Sequence, residues 1–510
     1  MRQGFELDFY RETQGGEDDE IQNLNEVTIT VTATRRLARP TRRSRPSSLL
    51  VFAEGPAKSF LPDLRRSFSR CSAEGSEPAM TKNTSCDLLI IGSGPSGLLA
   101  ALGALRADPD LDVVILDPEE GRRHRIGEAL LTGTVMTLHD AGISDEIAAA
   151  GFHHKIGAAY LWGKTRNPWY VNYLEGEGDY PKSFIHDGRR HSIHVPRHEF
   201  DPLLADCARR QGIRILPERA TDLKYRDDSI LCVVTSSGTR FSAKRYLDCT
   251  GQGSFIGRRL ARREPVGQAR IARYFYASNV DWAKAEAAGY DRHRTNILSG
   301  ANGWIWVIDL GEAGNGLTSM GFVSTPDIIK HLDFRNAERT FPQLSSFGDV
   351  LREPKTFDGK SLKAFYGHPD YSFVCSRLNG ANWALSGDAA LFIDPILSQG
   401  VTLACHYGFL RGRAAAAEIN GSEDRQTGVT DHYRREASVM RDVVGKWYDN
   451  NKSIDGWHMM SVMHAKKITG DTLSGDNAFR WITNLENLRG EYDPYPECER
   501  ALIDRNLGLS

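Results

Sequence analysis

An α/β fold with an inserted antiparallel-sheet domain and a C-terminal helical region is predicted by three observations. Residues 86–117, CDLLIIGSGPSGLLAALGALRADPDLDVVILD, read in order as strand, glycine-rich turn, helix, strand and acid. Residues 270–325 alternate in the manner of antiparallel strands, with several Trp and Tyr among them. Beyond about residue 425 the chain turns helical and amphipathic, as in His432–Tyr448.

The first stretch carries the strongest signal. The apolar run Leu88–Ile91 feeds directly into Gly92-Ser93-Gly94-Pro95-Ser96-Gly97, and a Leu/Ala-rich run follows. Gly92 permits a tight turn, Gly94 lets the backbone approach a pyrophosphate, and Gly97 lets helix pack closely on strand. A helix that opens here offers free N–H groups and the positive end of its dipole to phosphates. The second run, Val113–Leu116, ends on Asp117, whose carboxylate can accept from a ribose hydroxyl. A bare G-x-G-x-x-G is weak. With a strand before it, a helix after it and an acid about 20 residues on, it is a dinucleotide fingerprint.

At 510 residues the chain has room for roughly two or three domains. Charged content of 25% and hydrophobic content of 40% are those of an ordinary soluble protein. A net charge of −2 offers no basic surface for nucleic acid. No apolar run approaches the ~20 residues of a membrane helix. The eight cysteines are scattered, with no C-x-x-C pair and no Cys/His cluster of zinc spacing. No metal site is therefore expected, and reduced thiols in a cytoplasmic protein are the simplest reading.

Residues 1–80 are of another kind. Thr34–Pro46 carries six Arg, Gln14–Glu20 is polar and acidic, and no apolar period is sustained. Such a composition buries too little to order itself. Arg- and Ser-rich segments occur in transit peptides, but the early acids Glu6, Asp8, Glu12, Glu17, Asp18, Asp19 and Glu20 argue against one. Two readings stand: upstream sequence read through ahead of a natural start at Met80, and a disordered tail. The expected division is 1–80 as an extension, 81–420 as the α/β body with the interleaved sheet domain, and 421–510 as a helical cap.

Within the body, Ala158–Trp162 reads as a strand. Arg197–Arg210 reads as a helix, with Phe200, Leu203, Leu204 and Cys207 on one face. Arg214–Leu216 and Ile230–Thr235 read as strands, and Tyr246–Cys249 as a strand ending in Thr250-Gly251. Trp383–Leu385 is a strand that ends on Ser386-Gly387-Asp388. The segment GDAALFIDPILSQG, 387–400, is a second signature. Asp388 can meet a ribityl chain or phosphate, and Pro395–Gly400 opens the helix Val401–Leu410. Its N–H groups suit an electron-rich partner such as the pyrimidine edge of a reduced flavin. Alone, this would be a loop with a C-cap glycine. Paired with the first fingerprint, it indicates FAD rather than NAD.

With these residues the chain resembles the flavin-dependent halogenases. These form a tryptophan-halogenase-like group within the FAD-binding, aromatic-hydroxylase type of Rossmann-like fold. Four stretches carry the resemblance: GSGPSG at 92–97, IGEALL at 126–131, GWIWVID at 303–309 and GDAALFIDPILSQGV at 387–401. A fifth, FHHKIGAAYLWG at 152–163, matches the family segment that contributes an essential lysine, here Lys155. The family's W-x-W-x-I-P appears as Trp304, Trp306 and Ile308, with Asp309 where Pro is usual. Spaced two apart, the three side chains share one face of a strand. Ordinary core packing of a sheet face is the alternative reading.

The resemblance implies FAD contacts at Gly92, Gly94, Gly97, Asp117, Glu128, Arg197, Asp388 and Gly400. It implies a halide, chloride or bromide, against the backbone amides of Gln399 and Gly400. Trp304, Trp306, Ile308 and Ser398 would wall the substrate off from the flavin. The implied reaction is FADH2- and O2-dependent halogenation. Halide attacks a flavin hydroperoxide, and the hypohalous acid crosses a closed passage to Lys155, which holds it by hydrogen bond or as a haloamine. An electron-rich aromatic ring then takes the halogen. Lys155 sits just before an apolar strand, where partial burial would leave it less protonated than in water. A solvated lysine at a strand end is the alternative.

The tryptophan-specific branch carries a Glu one residue before the Ser of this segment, whereas Leu397 precedes Ser398 here. A phenol or pyrrole, already activated by its heteroatom, is therefore the expected substrate, free or presented on a carrier protein. Three rivals stand beside this reading. An NAD(P)H-dependent aromatic hydroxylase usually carries Asp-Gly within the stretch that here reads DCTGQGSFIGRRL, 248–260. The chain has Thr250-Gly251 instead, which favours reduced FAD supplied by a separate NAD(P)H-dependent flavin reductase. A flavin-dependent isoprenoid reductase shares that variant but does not need Lys155 or the Trp pair. A non-catalytic flavoprotein is the third.

Overall fold

The computed structural model describes residues 30–32, 48–50, 82–119, 125–162, 168–173, 175, 178–300, 303–332, 337–350, 354–355, 366–368, 372–448, 453–469, 472–485 and 497–509. Met1–Met80 and Thr81–Ser510 separate as two units. In the first, Thr30–Thr32 pairs antiparallel with Ser48–Leu50. The Arg-rich run 34–46 and the acidic stretch 14–20 lie outside the described residues.

The principal elements of the second unit are as follows. β1 (Asn83–Ile91) leads through the glycine-rich turn into α1 (Pro95–Ala107) and β2 (Val113–Leu116). After α2 (Thr132–Asp140) come the short strands β3 (His153–Lys155), β4 (Gly157–Leu161) and β5 (Trp169–Asn172). β6 (Ser192–His194) precedes α3 (Arg197–Arg210), and β7 (Arg214–Leu216), β8 (Ala220–Arg226), β9 (Ser229–Thr235) and β10 (Arg240–Asp248) follow. β11 (Ile271–Ala277), β12 (Arg294–Gly300), β13 (Gly303–Asp309) and β14 (Thr318–Ser324) form the inserted sheet. β15 (Trp383–Leu385) returns to the first sheet. α4 (Gly400–Ile419), α5 (Arg425–Trp447), α6 (Ile454–Thr469) and α7 (Gly475–Asn484) complete the set.

The first sheet runs β7-β2-β1-β10-β9-β8, with β15 also on β10. Its centre is parallel: β1 pairs with β2 and β10, and β10 with β15. Leu88, Leu89 and Ile90 are buried on both faces, which is why β1 reads as a continuous apolar run rather than an alternation. Pro95 opens α1 at a position whose N–H would have no helical partner anyway.

The second sheet has the core order β11-β14-β13-β12-β4-β5. Its strands were expected to alternate, yet β13 and β14 are buried at nearly every position. The reason is cover on both sides. Trp304, Trp306 and Ile308 share one apolar cluster with Trp447, Trp457 and Phe479, while Ile305 and Val307 pack with Phe322 and Phe341 on the other face. Gly321 lies opposite Trp306, and a Cβ there would stand 2.0 Å from the Trp306 ring.

α3 has the limits read from sequence, α4 runs on to Ile419 beyond the expected Leu410, and α5 begins at Arg425. Buried Arg411 of α4 donates to Gln426 O (2.7 Å) and Thr430 Oγ1 (2.7 Å) of α5, locking the two helices together. α1 and α4 pack at main-chain contact: a Cβ on Gly412 would lie 1.8 Å from Ala100 O. No described helix is long and apolar enough to cross a membrane. Gly412→Ala is expected to cost about 1–3 kcal/mol in urea denaturation through overpacking. Gly445→Ala, whose Cβ would meet nothing within 4 Å, is expected to be neutral or stabilising.

Candidate active site

A cavity of about 410 Å³ opens where the glycine-rich turn, the N-terminus of α4, the segment 126–129 and one face of the inserted sheet converge. At one end lie Gly94, Pro95, Ser96, Thr250, Gly251 and Asp388. Gly92 takes φ +102°, a left-handed turn that suits glycine. A Cβ on Gly94 would meet nothing within 4 Å, so its backbone faces open space. Together with the free N–H groups of α1, this is the cradle a pyrophosphate needs. Burial raises the Asp388 carboxyl to about 6, against the pull of Arg125, Arg197 and Arg263. Thr250 donates to Asp248 Oδ1 (2.6 Å) and accepts from Phe255 N (3.0 Å), tying its own loop.

Asp117 is tied to the glycine-rich turn. Its Oδ2 accepts from the Ser93 backbone N–H and hydroxyl (both 2.8 Å), and Oδ1 from Glu119 N (2.9 Å). It is not among the residues lining the cavity. The carboxylate braces the glycine-rich turn.

Segment 126–131 forms one wall. Arg197 forks onto Asp201 (2.7 and 2.8 Å) and donates through Nη1 to Ile126 O (2.9 Å). Leu130 N donates to Ile193 O (3.0 Å), and Val195 N to Glu128 O (2.8 Å). Glu128 is 3% exposed and accepts from Tyr276 OH at Oε1 (2.7 Å). Burial raises its carboxyl to about 7, opposed by the Ser319 and Tyr276 hydroxyls and by Arg197. Expected as a flavin contact, Glu128 sits at the sheet end of the cavity, beside Tyr276.

Trp304, Trp306 and Ile308 all line the cavity, with Thr295, Ile297 and Tyr274 from neighbouring strands. Trp304 Nε1 donates to Tyr448 OH (3.0 Å), and Trp306 Nε1 to Ser319 Oγ (3.1 Å). The indoles belong to the aromatic core and also line the cavity. Ser398 (φ +56°) and Gly400 line it too. Gln399 does not: its Nε2 donates to Ile482 O (2.7 Å) on α7.

Lys155 lies across the segment from the cavity and is not part of its lining. Its Nζ donates to Leu130 O (2.9 Å), which also accepts from Tyr173 OH (3.2 Å). The residue is 1% exposed, and burial pushes the amine down to about 7. The solvated-lysine reading is thereby excluded.

Asp309, where the family motif has Pro, is buried. Its Oδ2 pairs with Arg292 (2.8 Å), and its Oδ1 accepts from Gly311 N (3.0 Å). Sequence reading missed His194. Its Nδ1 is 3.0 Å from Asp309 O and its Nε2 3.2 Å from Thr295 Oγ1. His153 stacks on His293, with centroids 4.7 Å apart, and lies 5.9 Å from His194. The neighbouring His153-His154-Lys155 run was the available signal. Among the described residues no group of three or more His, Cys, Asp or Glu could hold a metal.

The cradle at Gly94, the acid at Asp388 and the helix end at Gly400 suit a flavin dinucleotide. The family model described as tryptophan halogenase matches residues 87–184 and 178–469. The chain is 24% identical to a 1H-pyrrole-2-carbonyl-[peptidyl-carrier protein] chlorinase of Pseudomonas fluorescens, over 71% of this chain and 82% of that one. It is 26% identical to a tryptophan 2-halogenase of Chondromyces crocatus, over 69% and 65%. In fold it resembles the myxobacterial chondrochloren halogenase, with a TM-score of 0.62 and 22% identity over 83% of this chain and 97% of that one. It also resembles the halogenase PltM in complex with phloroglucinol and FAD, with a TM-score of 0.60 and 18% identity over 82% and 90%. The chain belongs to the tryptophan halogenase family and is a flavin-dependent halogenase, an enzyme whose cofactor is FAD.

Proposed function

We propose that the chain halogenates an electron-rich phenolic or pyrrolic ring, free or tethered to a carrier protein, with Lys155 relaying the halogen. One juxtaposition carries this reading. Ile126, Gly127, Glu128 and Ala129 line the cavity, and Leu130 of the same segment holds a buried lysine behind it. When bound, FAD supplies the electrons with which dioxygen and a halide become water and hypohalous acid. Gly92, Gly94 and Gly97 would hold the pyrophosphate, Asp388 the ribityl chain, and the α4 N–H groups at Gln399 and Gly400 the halide. Trp304, Trp306 and Ile308 keep water from the hypohalous acid. An amine near pKa 7 offers its lone pair at neutral pH, so Lys155 can hydrogen-bond the hypohalous acid or form the N–halogen bond with loss of water.

Leu397 before Ser398 supports a phenol or pyrrole over a free indole. The relative named for a carrier-bound pyrrole and the neighbour solved with phloroglucinol point the same way. The relative named for tryptophan makes free tryptophan the rival substrate. Thr250-Gly251 supports a separate NAD(P)H-dependent flavin reductase. The six free cysteines described suit a cytoplasmic setting.

The chain with FAD, a flavin reductase, NADH, oxygen and bromide is expected to brominate simple phenols or a carrier-bound pyrrole, read by mass. Bromotryptophan without either product would overturn the substrate class, and hydroxylation with NADPH alone would favour the hydroxylase. Lys155→Ala is expected to bind FAD normally and still brominate a free β-diketone trap, while aromatic product falls at least ~100-fold. Normal aromatic product would remove Lys155 from the mechanism.

The lysine's pKa is depressed on folding, so the unfolded chain holds a proton that the folded chain lacks between pH 7 and 10.5. Stability attached to this group rises with pH through that window, and the full cost applies below it. Lys155→Met should therefore raise stability most at or below pH 7, on the order of 2–4 kcal/mol by denaturant titration across pH. Asp309→Pro is expected to lower the melting temperature through loss of the Arg292 pair and the Gly311 hydrogen bond. A wild-type melting temperature would show that these contacts contribute nothing.

A further inference from the structure

Trp304 stands in the cavity wall, and its indole nitrogen is held from behind. Nε1 donates to the hydroxyl of Tyr448 (3.0 Å), the residue that follows α5. An indole N–H can only donate, so the phenol oxygen accepts here and has its own hydrogen left to give. That hydrogen goes to Asp394, whose Oδ1 and Oδ2 lie 3.1 and 3.0 Å away. Asp394 Oδ1 also accepts from Ile396 N (2.9 Å), and Arg270 Nε stands 3.8 Å from Oδ2. The Arg270 guanidinium lies 3.4 Å from the centre of the Tyr448 ring, closing over the phenol.

Both ends of this bridge lie on the cavity. Trp304 belongs to the sheet wall, whereas Pro395, Ile396 and Ser398 belong to the loop that leads into α4. We propose that Tyr448 and Asp394 are positioning residues: they hold the Trp304 indole in register with the loop 394–399 and keep the joint between wall and loop closed to hypohalous acid. This rests on the halogenase reading.

Trp304 is 2% exposed, so its N–H has no bulk water to turn to. Without the phenol oxygen the indole must swing toward another acceptor, because a buried unpaired donor is costly. Trp306 stays pinned through its bond to Ser319 Oγ (3.1 Å), so such a swing parts Trp304 from its neighbours. A gap at that joint admits water and lets a small oxidant leave.

Two measurements test the proposal. In the FAD-free protein, the Trp304 indole N–H resonance is identified by its absence in Trp304→Phe. Tyr448→Phe should shift it and speed its exchange with solvent roughly 10-fold. With FAD, a flavin reductase, NADH, oxygen and bromide, a phenol and a β-diketone trap are then offered together. Tyr448→Phe should lower the ratio of brominated phenol to brominated trap about 10-fold, since a small misplacement in a closed site has large effects. In the Trp304→Phe background the same change should alter that ratio by less than about twofold, because both act through one contact. Asp394→Ala breaks the bridge at its other bond and should move the resonance and the ratio in the same direction. An unmoved resonance in Tyr448→Phe, a wild-type ratio in either variant, or full additivity with Trp304→Phe would overturn it. A wild type that brominates neither ring nor trap would instead overturn the halogenase reading.

Discussion

The site depends on two helices that touch through their backbones. A Cβ on Gly408 would lie 2.3 Å from Ser96 O, one on Gly412 1.8 Å from Ala100 O, and one on Gly103 2.2 Å from Phe409 O. No side chain separates α1 from α4 along this line. Their N-terminal ends therefore reach the cavity together, at Gly94–Ser96 and at Gly400–Ala404. Two sets of unpaired N–H groups and two positive dipole ends face one space. The parallel sheet fixes α1 through β1, and Arg411 fixes α4 to the C-terminal helices, so the relation between the two ends is rigid.

Against that frame, segment 126–131 acts as a two-sided partition. Its backbone is held by Arg197, Ile193 and Val195, so few of its polar groups are left loose. On one side it presents a carboxyl and on the other it anchors an amine, two residues apart in sequence. Among the described residues neither group is in a salt bridge, and burial disfavours the charged form of each. A fold that keeps such groups gives up stability beside this cavity.

Much of this was legible from residue order. The central strands and α3 are marked by apolar runs and by one-face periodicity, and Trp304, Trp306 and Ile308 do share a face. Other features were not local. Asp117 has the right spacing for a ribose acid, but its bonds to Ser93 are set by how the turn closes and could not be read from order. Glu128 belongs to a recognisable stretch, yet its place beside Tyr276 is fixed by pairing between segments 148 residues apart. Asp309 departs from the motif, and its partners Arg292 and Gly311 are set by tertiary contacts that residue order does not show. His194 carries no motif at all, and its partners come from two other strands. Sequence periodicity gives the face of a strand, whereas side-chain partners across sheets depend on tertiary register.

His194 has one further consequence. A carbonyl can only accept, so the contact with Asp309 O requires the hydrogen to be on Nδ1. Burial keeps the ring neutral, so Nε2 has only a lone pair, and the Thr295 hydroxyl must point its hydrogen at it. Thr295 is left with nothing to donate to any guest. A hydrogen bond formed with its oxygen in the cavity wall must come from the guest's own O–H or N–H, and a bare carbonyl or an anion gains nothing there. A backbone oxygen buried behind the sheet thus sets the polarity of a hydroxyl two bonds away along the network.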